Sequence, residues 1–492
     1  MSFFVSVAVG LVCAFQALGR ENPPPPDPPL SVEFPVAEVE VLANGMKLLL
    51  VERHSIPLVT VALAVRAGAV DDPAGLVGAA QMVTLLMDQG TESRQAPEIA
   101  ELLDRLGGSI QKEADWDDSL VGITVLSDHI EQASELLADL VLNPAFRPEE
   151  VALQRQRTIS ALQIALRDPS YLADVVFNRA LFRASPYGHP LDGTQASVPR
   201  ITEEELRRFH QRHYRPSNAI LVLVGDFQPG RGRRLAEKYF GSWKRKGNRE
   251  QEAGESGESA EMASEQAPPS GRRIIVVDVP DAVQTEIRVG NFAPHRASPD
   301  FAALEMSNEI LAGTAPDRLF EALRTREGLV YGVAGHLDVR RTAGAWRIET
   351  ATRTAETLKT LRIILAEMKR MATRRVSRSE IELARSYRKG NMILQFESAE
   401  SVSGELLELV LYDLPPDYWN GFSETLDRLG RDELLEATRR WLHPEQSLIV
   451  LVGDAAAFRD GLDQYGQVDL VSVEDLDLES PTLGIEDEPL EK

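Results

Sequence analysis

The chain changes its hydrophobic period several times, and each change marks an element. From Val36, VAEVEVLANGMKLLLVERHSIPLVTVALAVRAGA carries short aliphatic runs that predict two strands joined at Asn44-Gly45, a pair suited to a tight hairpin, and a third strand over 59–65. The period then lengthens. Val77, Ala80, Val83, Leu86 and Met87 lie three or four residues apart, which predicts one buried helical face over 75–88 with Gly90 as its stop. The same pattern predicts helices over 95–106, 129–141 and 147–166, with a strand near 119–126. Short strands mixed with amphipathic helices indicate an α+β layer rather than a doubly wound parallel sheet.

The pattern occurs twice. YRPSNAILVLVGD at 214–226 and LHPEQSLIVLVGD at 442–454 share a Pro, an aliphatic run and a terminal Val-Gly-Asp, which an internal duplication explains most simply. Between them, 244–272 is rich in Gly, Ser and Glu and nearly free of large apolar residues, so it reads as a linker. RRIIVVDVPDAVQTEIRVGNF then restarts the strands. These boundaries predict a first domain at 36–243, a second at 273–468 and an acidic, disordered tail at 469–492.

The N-terminus has its own pattern. Phe3 to Leu18 is apolar without an acid or a base, shorter than the roughly 20 residues of a spanning helix. It fits a secretory signal over 1–19 with an A-x-G cleavage site at Ala17-Leu18-Gly19, and an uncleaved membrane anchor is the alternative. No Lys or Arg precedes the apolar core. A stiff Pro-rich spacer over 20–35 follows. Cys13, the sole cysteine, lies in the leader, so a cleaved chain would carry no disulfide.

Composition narrows the function further. A chain of 492 residues, 43% hydrophobic and 26% charged, has the balance of a globular protein of two or three domains. Its net charge of -23 argues against a nucleic-acid partner and against anionic membrane surfaces. The histidines offer no metal site: His210 and His213 lie among Arg residues at a helix end and read as a solvated charged face. A serine or cysteine nucleophile has no motif to carry it.

The stretch GAAQMVTLLMDQGT at 78–91 is the most informative. It matches the frame G-x-A-H-x-x-E-H-x-x-x-x-G-T at Gly78, Ala80, Gly90 and Thr91, and so resembles the insulinase and pitrilysin-like zinc peptidases, whose H-x-x-E-H is the inverted zincin signature. Gln81, Thr84 and Leu85 then stand where the first histidine, the glutamate base and the second histidine would be. The family's third ligand is a glutamate on a helix that ends in a D-P corner. Counting back from Asp168-Pro169 puts that position at Ala161 and a supporting glutamate at Gln154. None of these residue types can hold a hydrolytic zinc ion, which takes three His or carboxylate ligands and an open position for water.

PYGHPLDGT at 186–194, NEILAGTAPDRLF at 308–320 and the helix from Ser377, with Ser377 and Glu380 as a capping box, extend the resemblance over about 36–460. It implies two homologous two-layer domains, each a mostly antiparallel sheet packed with helices. It also implies a pair of such units enclosing a chamber, where an extended peptide adds as a strand beside the zinc helix. The half facing the zinc supplies an arginine and a tyrosine, and ALRTREGLVYG at 322–332 looks like that element, with Arg324 and Tyr331 at the matching positions. Donors placed at a peptide carbonyl stabilise the growing oxyanion by a typical ~3 kcal/mol. From the segment alone, a surface salt bridge for Arg324 and packing of Tyr331 at a strand start are the simpler account, and it is the resemblance that turns the reading to the functional role.

The expectation is a secreted or periplasmic subunit that binds no cofactor itself. It would join a zinc-bearing homologue and a peptide substrate, contribute Arg324 and Tyr331, and touch a membrane only through an uncleaved N-terminal segment. The alternatives are a scaffolding homologue without a proteolytic role and a stand-alone peptide clamp.

Overall fold

A computed structural model of the protein describes residues 33–37, 39–244, 271–313 and 316–485. The expected leader, nearly all of the spacer and most of the linker lie outside the described residues. No described helix is long and apolar enough to cross a membrane.

Two six-stranded mixed sheets organise the body. The first contains β1 (Glu40–Val41), β2 (Lys47–Glu52), β3 (Leu58–Val65), β4 (Ser109–Ala114), β5 (Ser119–Leu126) and β6 (Ala219–Gly225), in the order β1-β2-β6-β3-β5-β4. The second contains β7 (Arg273–Asp278), β8 (Gln284–Ala293), β9 (Val330–Val339), β10 (Gly344–Arg353), β11 (Leu448–Gly453) and β12 (Gln467–Ser472), in the order β12-β7-β11-β8-β10-β9. From the second place onward the two orders correspond strand for strand. The duplicated aliphatic runs are β6 and β11, third in each. Antiparallel pairing dominates, with β2–β6, β7–β11 and β7–β12 parallel.

Both repeats lack the in-out alternation of a half-exposed strand, and every residue of β6 and β11 is buried. The reason is that each sheet is covered on both faces, once by its own half and once by the other. Helix Pro169–Phe182, from the first half, packs on β8 and β11 of the second. There Leu172, Val176 and Phe177 join Ile275, Val277, Val450 and Val452 in one core. Helix Ala399–Leu411 returns the arrangement by packing on β3 and β6. Its Val402, Leu406 and Val410 share a core with Leu49, Ile220, Val222 and Val224. Polar contacts tighten the exchange. Arg288 on β8 is 2% exposed and pairs with Asp174 at 2.6 Å, while its Nη2 donates to Ser170 Oγ at 2.8 Å.

The β9–β10 hairpin also reaches into the first half. Arg340 at its tip is buried, its guanidinium 3.5 Å from the Trp116 ring centroid, and its Nη1 donates to the Tyr187 carbonyl at 3.1 Å. Tyr187 donates its hydroxyl to Asp117 at 2.7 Å, and the Arg341 backbone N–H donates to the same carboxylate at 2.9 Å. The PYGHPLDGT motif thus serves the junction of the two halves.

The described part of the tail, 469–485, contradicts its expected disorder. Residues 467–472 form β12, and Val471 is buried. The acids that suggested solvation have partners far away in sequence: Asp469 pairs with Arg273 at 2.7 Å, and Glu479 pairs with Arg200 at 2.9 Å and accepts from Thr194 Oγ1 at 2.7 Å. Leu483, 1% exposed, anchors the crossing back to the first half.

Candidate functional site

The degenerate zinc frame sits on a short helix, Ala79–Leu86, whose start is shaped by the backbone. Gly78 adopts φ 96°, and a Cβ there would come within 2.9 Å of the Gly193 Cα, so both conformation and space require glycine. Asp72 caps the helix by accepting the Gly78 N–H at 2.6 Å and the Ala80 N–H at 2.8 Å. Of the face that the spacing predicted, Ala80, Val83, Leu86 and Met87 are buried and Val77 is half-buried; Ala79 and Met82 are buried as well.

The five altered positions fall on two helices that touch, Ala79–Leu86 and Pro148–Ala165. Gln81 is half-buried, with Nε2 donating to Asp192 at 3.3 Å and Oε1 unpartnered. Thr84 is buried and spends its hydroxyl on the Ala80 carbonyl at 3.0 Å. Leu85 is half-buried; its carbonyl accepts from Lys112 Nζ at 2.9 Å, and that ammonium also pairs with Asp88. Gln154 donates to Thr158 Oγ1 at 3.3 Å, and Ala161 is exposed. These residues do not fit zinc, because an amide, an alcohol held by backbone, a hydrocarbon and a methyl group supply no anionic or imidazole donor. Among the described residues no group of three or more His, Cys, Asp or Glu is arranged to hold a metal ion.

His210 and His213 depart from the solvated face expected of them. His213 lies against the Phe209 ring at 4.5 Å, and burial pushes its imidazole down to about 4. His210 stacks on Tyr214 at 4.6 Å, with its Nε2 placed 2.7 Å from the Val141 carbonyl. A helix end rich in Arg looked solvated, but this face packs against aromatic rings.

Arg324 and Tyr331 come together at the opposite half. A π-helical turn over Phe320–Arg326 widens the backbone, a local form often found at functional sites, and Gly328 at φ 62° redirects the chain into β9. The Arg324 guanidinium lies 4.8 Å from the Tyr331 ring centroid and 5.0 Å from that of Phe320, and it donates to the Tyr331 carbonyl. Arg324 is exposed and forms no ion pair among the described residues, and Tyr331 is 87% exposed. An arginine with spare donors and a tyrosine hydroxyl in water are ready to meet a carbonyl.

Among the described residues no strand pairs with the outer edge of β4, beside the degenerate helix, or of β9, beside Arg324. An open edge offers unpaired main-chain groups to an extended peptide. Sequence reasoning missed β4, since SIQKEA is polar. Its signal was Ile110 between polar neighbours, with the adjoining β5 as a pairing partner.

Buried titrating groups set the pH response of stability. Burial raises Asp72, Asp118 and Asp317 to about 7, and Glu405 to about 8. A carboxyl raised in the folded state binds more protons there than in the unfolded chain, so stability falls as pH rises through the window. His189 and His213 act oppositely: both are pushed down to about 4 by burial, so their cost begins only as pH falls below 6.5. The unfolding free energy should therefore rise as pH falls from 8 to 6.5, and His54 and His336, both raised by hydrogen bonds to carboxylates, add to the rise in the same direction. Urea unfolding at both ends checks this, and a flat or inverted trend would mean that these carboxyls ionise freely.

Comparison with known proteins gives consistent matches. A family model described as insulinase (peptidase family M16) matches residues 47–195, and one described as the peptidase M16 inactive domain matches residues 200–387. An uncharacterized zinc protease of Mycobacterium leprae is 27% identical over 360 residues, 73% of this chain and 79% of that protein. One of Rickettsia bellii is 25% identical over 370 residues, 75% of this chain and 86% of that protein. The crystal structure of a peptidase M16 inactive domain from Pseudomonas fluorescens superposes with a TM-score of 0.78 at 24% identity, covering 85% of this chain and 98% of the other.

Proposed function

The chain belongs to the insulinase family of peptidases (family M16), and from that membership we propose that it is the non-zinc subunit of a two-subunit peptidase. In this reading it binds an extended peptide and lends Arg324 and Tyr331 to a site that a zinc-bearing homologue completes. The observation that carries it is a division of chemistry. The five ligand-frame positions hold Gln81, Thr84, Leu85, Gln154 and Ala161, while Arg324 and Tyr331 stand together, exposed and with no ion pair among the described residues.

The work of this chain would be positioning and charge stabilisation. A peptide laid along an open edge strand is held through its main chain, which fixes where its carbonyl oxygens lie. Arg324 offers a planar fork and Tyr331 a hydroxyl to a carbonyl oxygen that gains negative charge in the transition state. Neither residue generates a nucleophile, so the chain alone is expected to be inactive. The apolar leader motivates a secreted or periplasmic setting.

Co-expression with a zinc-bearing homologue tests the reading. Co-purification and cleavage of unstructured peptides by the pair alone are the expected results. A stable pair that cleaves no peptide would favour a scaffolding role, and a monomer with peptide affinity would favour a clamp.

A further inference from the structure

A cavity of about 410 Å³ lies in the second half, between helix Phe301–Ala312, helix Arg378–Gln395 and the turn Phe320–Arg326 that carries Arg324. The NEILAGTAPDRLF motif supplies Ile310, Asp317 and Arg318 to its wall. Charged groups of that wall already have partners. Arg318 pairs with Glu380 at 2.6 Å, Arg326 with Glu321 at 3.8 Å and Arg370 with Glu367 at 3.4 Å, and Asp317 accepts the Phe320 N–H at 2.7 Å. What the wall adds is hydrocarbon: Ile310 and Ala384 are buried, while Leu383 and Tyr387 are 54% and 42% exposed.

The exposure of Leu383 has a counterpart in the other repeat. Helices Pro148–Ala165 and Arg378–Gln395 are both 18 residues long, and each leads into a helix that crosses to the other half's sheet, Pro169–Phe182 and Ala399–Leu411. Leu153 and Ile164 hold the same two places in the first helix that Leu383 and Leu394 hold in the second, and all four are exposed. The two places are about three turns apart and so share one face. On the first half Ala161, also exposed, stands one turn before Ile164, and on the second half the face bears Tyr387 and meets the cavity. A face turned only to water would be polar at such places. Aliphatic residues exposed at equal places in both repeats fit contact with an apolar ligand. One face adjoins the degenerate helix and the other the Arg324 turn, the two places where a peptide is expected to lie.

We propose that the cavity is a specificity pocket that takes one bulky apolar side chain, of the leucine, methionine or phenylalanine class, from an extended peptide held at Arg324. That the occupant is a peptide rests on the function proposed above; the class of side chain follows from the cavity itself.

Fluorescence anisotropy of the full chain tests it, with labelled, capped, Ala-rich hexapeptides that differ in one central residue, Phe, Ala or Glu. The Phe peptide should bind about tenfold or more tighter than the Ala peptide, and the Glu peptide no tighter than the Ala peptide. Leu383→Asp should remove most of that preference, and it should melt with the parent because Leu383 is exposed. Leu470→Asp, at an exposed leucine of β12 outside the cavity, should leave the preference intact. Cleavage of the same peptides by the pair with a zinc-bearing homologue separates the pocket from the function it serves. Apolar preference in the chain without cleavage by the pair would keep the pocket and remove the peptidase role, whereas cleavage blind to the central residue would remove the pocket and keep that role. No saturable binding of the Phe peptide, equal binding of the Phe and Ala peptides, tightest binding of the Glu peptide, or a preference unchanged in Leu383→Asp or equally lost in Leu470→Asp would each overturn the pocket.

Discussion

Arg324→Ala, assayed as a pair with a zinc-bearing homologue, should lower kcat for peptide cleavage by about 100-fold, the usual effect of deleting one good donor to a developing oxyanion. The site makes this a clean measurement. Arg324 is exposed and pairs with no acid among the described residues, so its loss should change stability by less than about 0.5 kcal/mol. Arg324→Lys should recover little, because a point charge on a flexible stem does not replace a planar fork. Tyr331→Phe keeps the ring beneath the guanidinium and removes only the hydroxyl, so a smaller loss of about tenfold is expected. Cleavage by the Arg324→Ala pair within about twofold of the parent would remove this residue from the chemistry.

The second large effect concerns the crossing of the halves. Phe177 belongs to the first half by sequence, yet it is fully buried on the sheet of the second, packed so closely that a Cβ at Gly290 would meet its ring at 2.7 Å. Phe177→Ala should cost about 3–5 kcal/mol, the range for emptying a large core position. Against a typical total of about 5–15 kcal/mol this is a heavy loss. Urea unfolding followed by tryptophan fluorescence reads both halves, since Trp243 packs against the core of the first and Trp346 is buried in that of the second. One shared transition at lower urea is expected. A loss below about 1 kcal/mol, or separate transitions, would show that the helix is merely laid on the surface.

What could be read from the residues was whatever is local. β2, β3, β5, β6 and β11 follow from their aliphatic runs, and the capping box forms as expected, with the Glu380 N–H donating to Ser377 Oγ at 3.1 Å. The exchange of helices could not be read, because periodicity tells which face of a helix is buried but not against which sheet. Helix Pro169–Phe182 shows little one-sidedness, as nearly every side is covered, and its pattern therefore gave no signal. The tail failed for a related reason. Its acids look solvated until Arg273 and Arg200, distant in sequence, are brought beside them. For the candidate site, the residue types were legible at Gln81, Thr84, Leu85, Gln154 and Ala161. The exposure of Arg324 and Tyr331, which separates a functional reading from a packing one, needed three dimensions.

The traded helices bear on how such a molecule could come apart. A cut anywhere in the stretch joining the repeats would leave each fragment holding the lid of the other, with a bare apolar sheet face of its own. Peptide continuity across the middle is then not what unites the molecule. Two separately made pieces would be sticky alone and mutually completing together, so a gene broken at that point could still specify one working body.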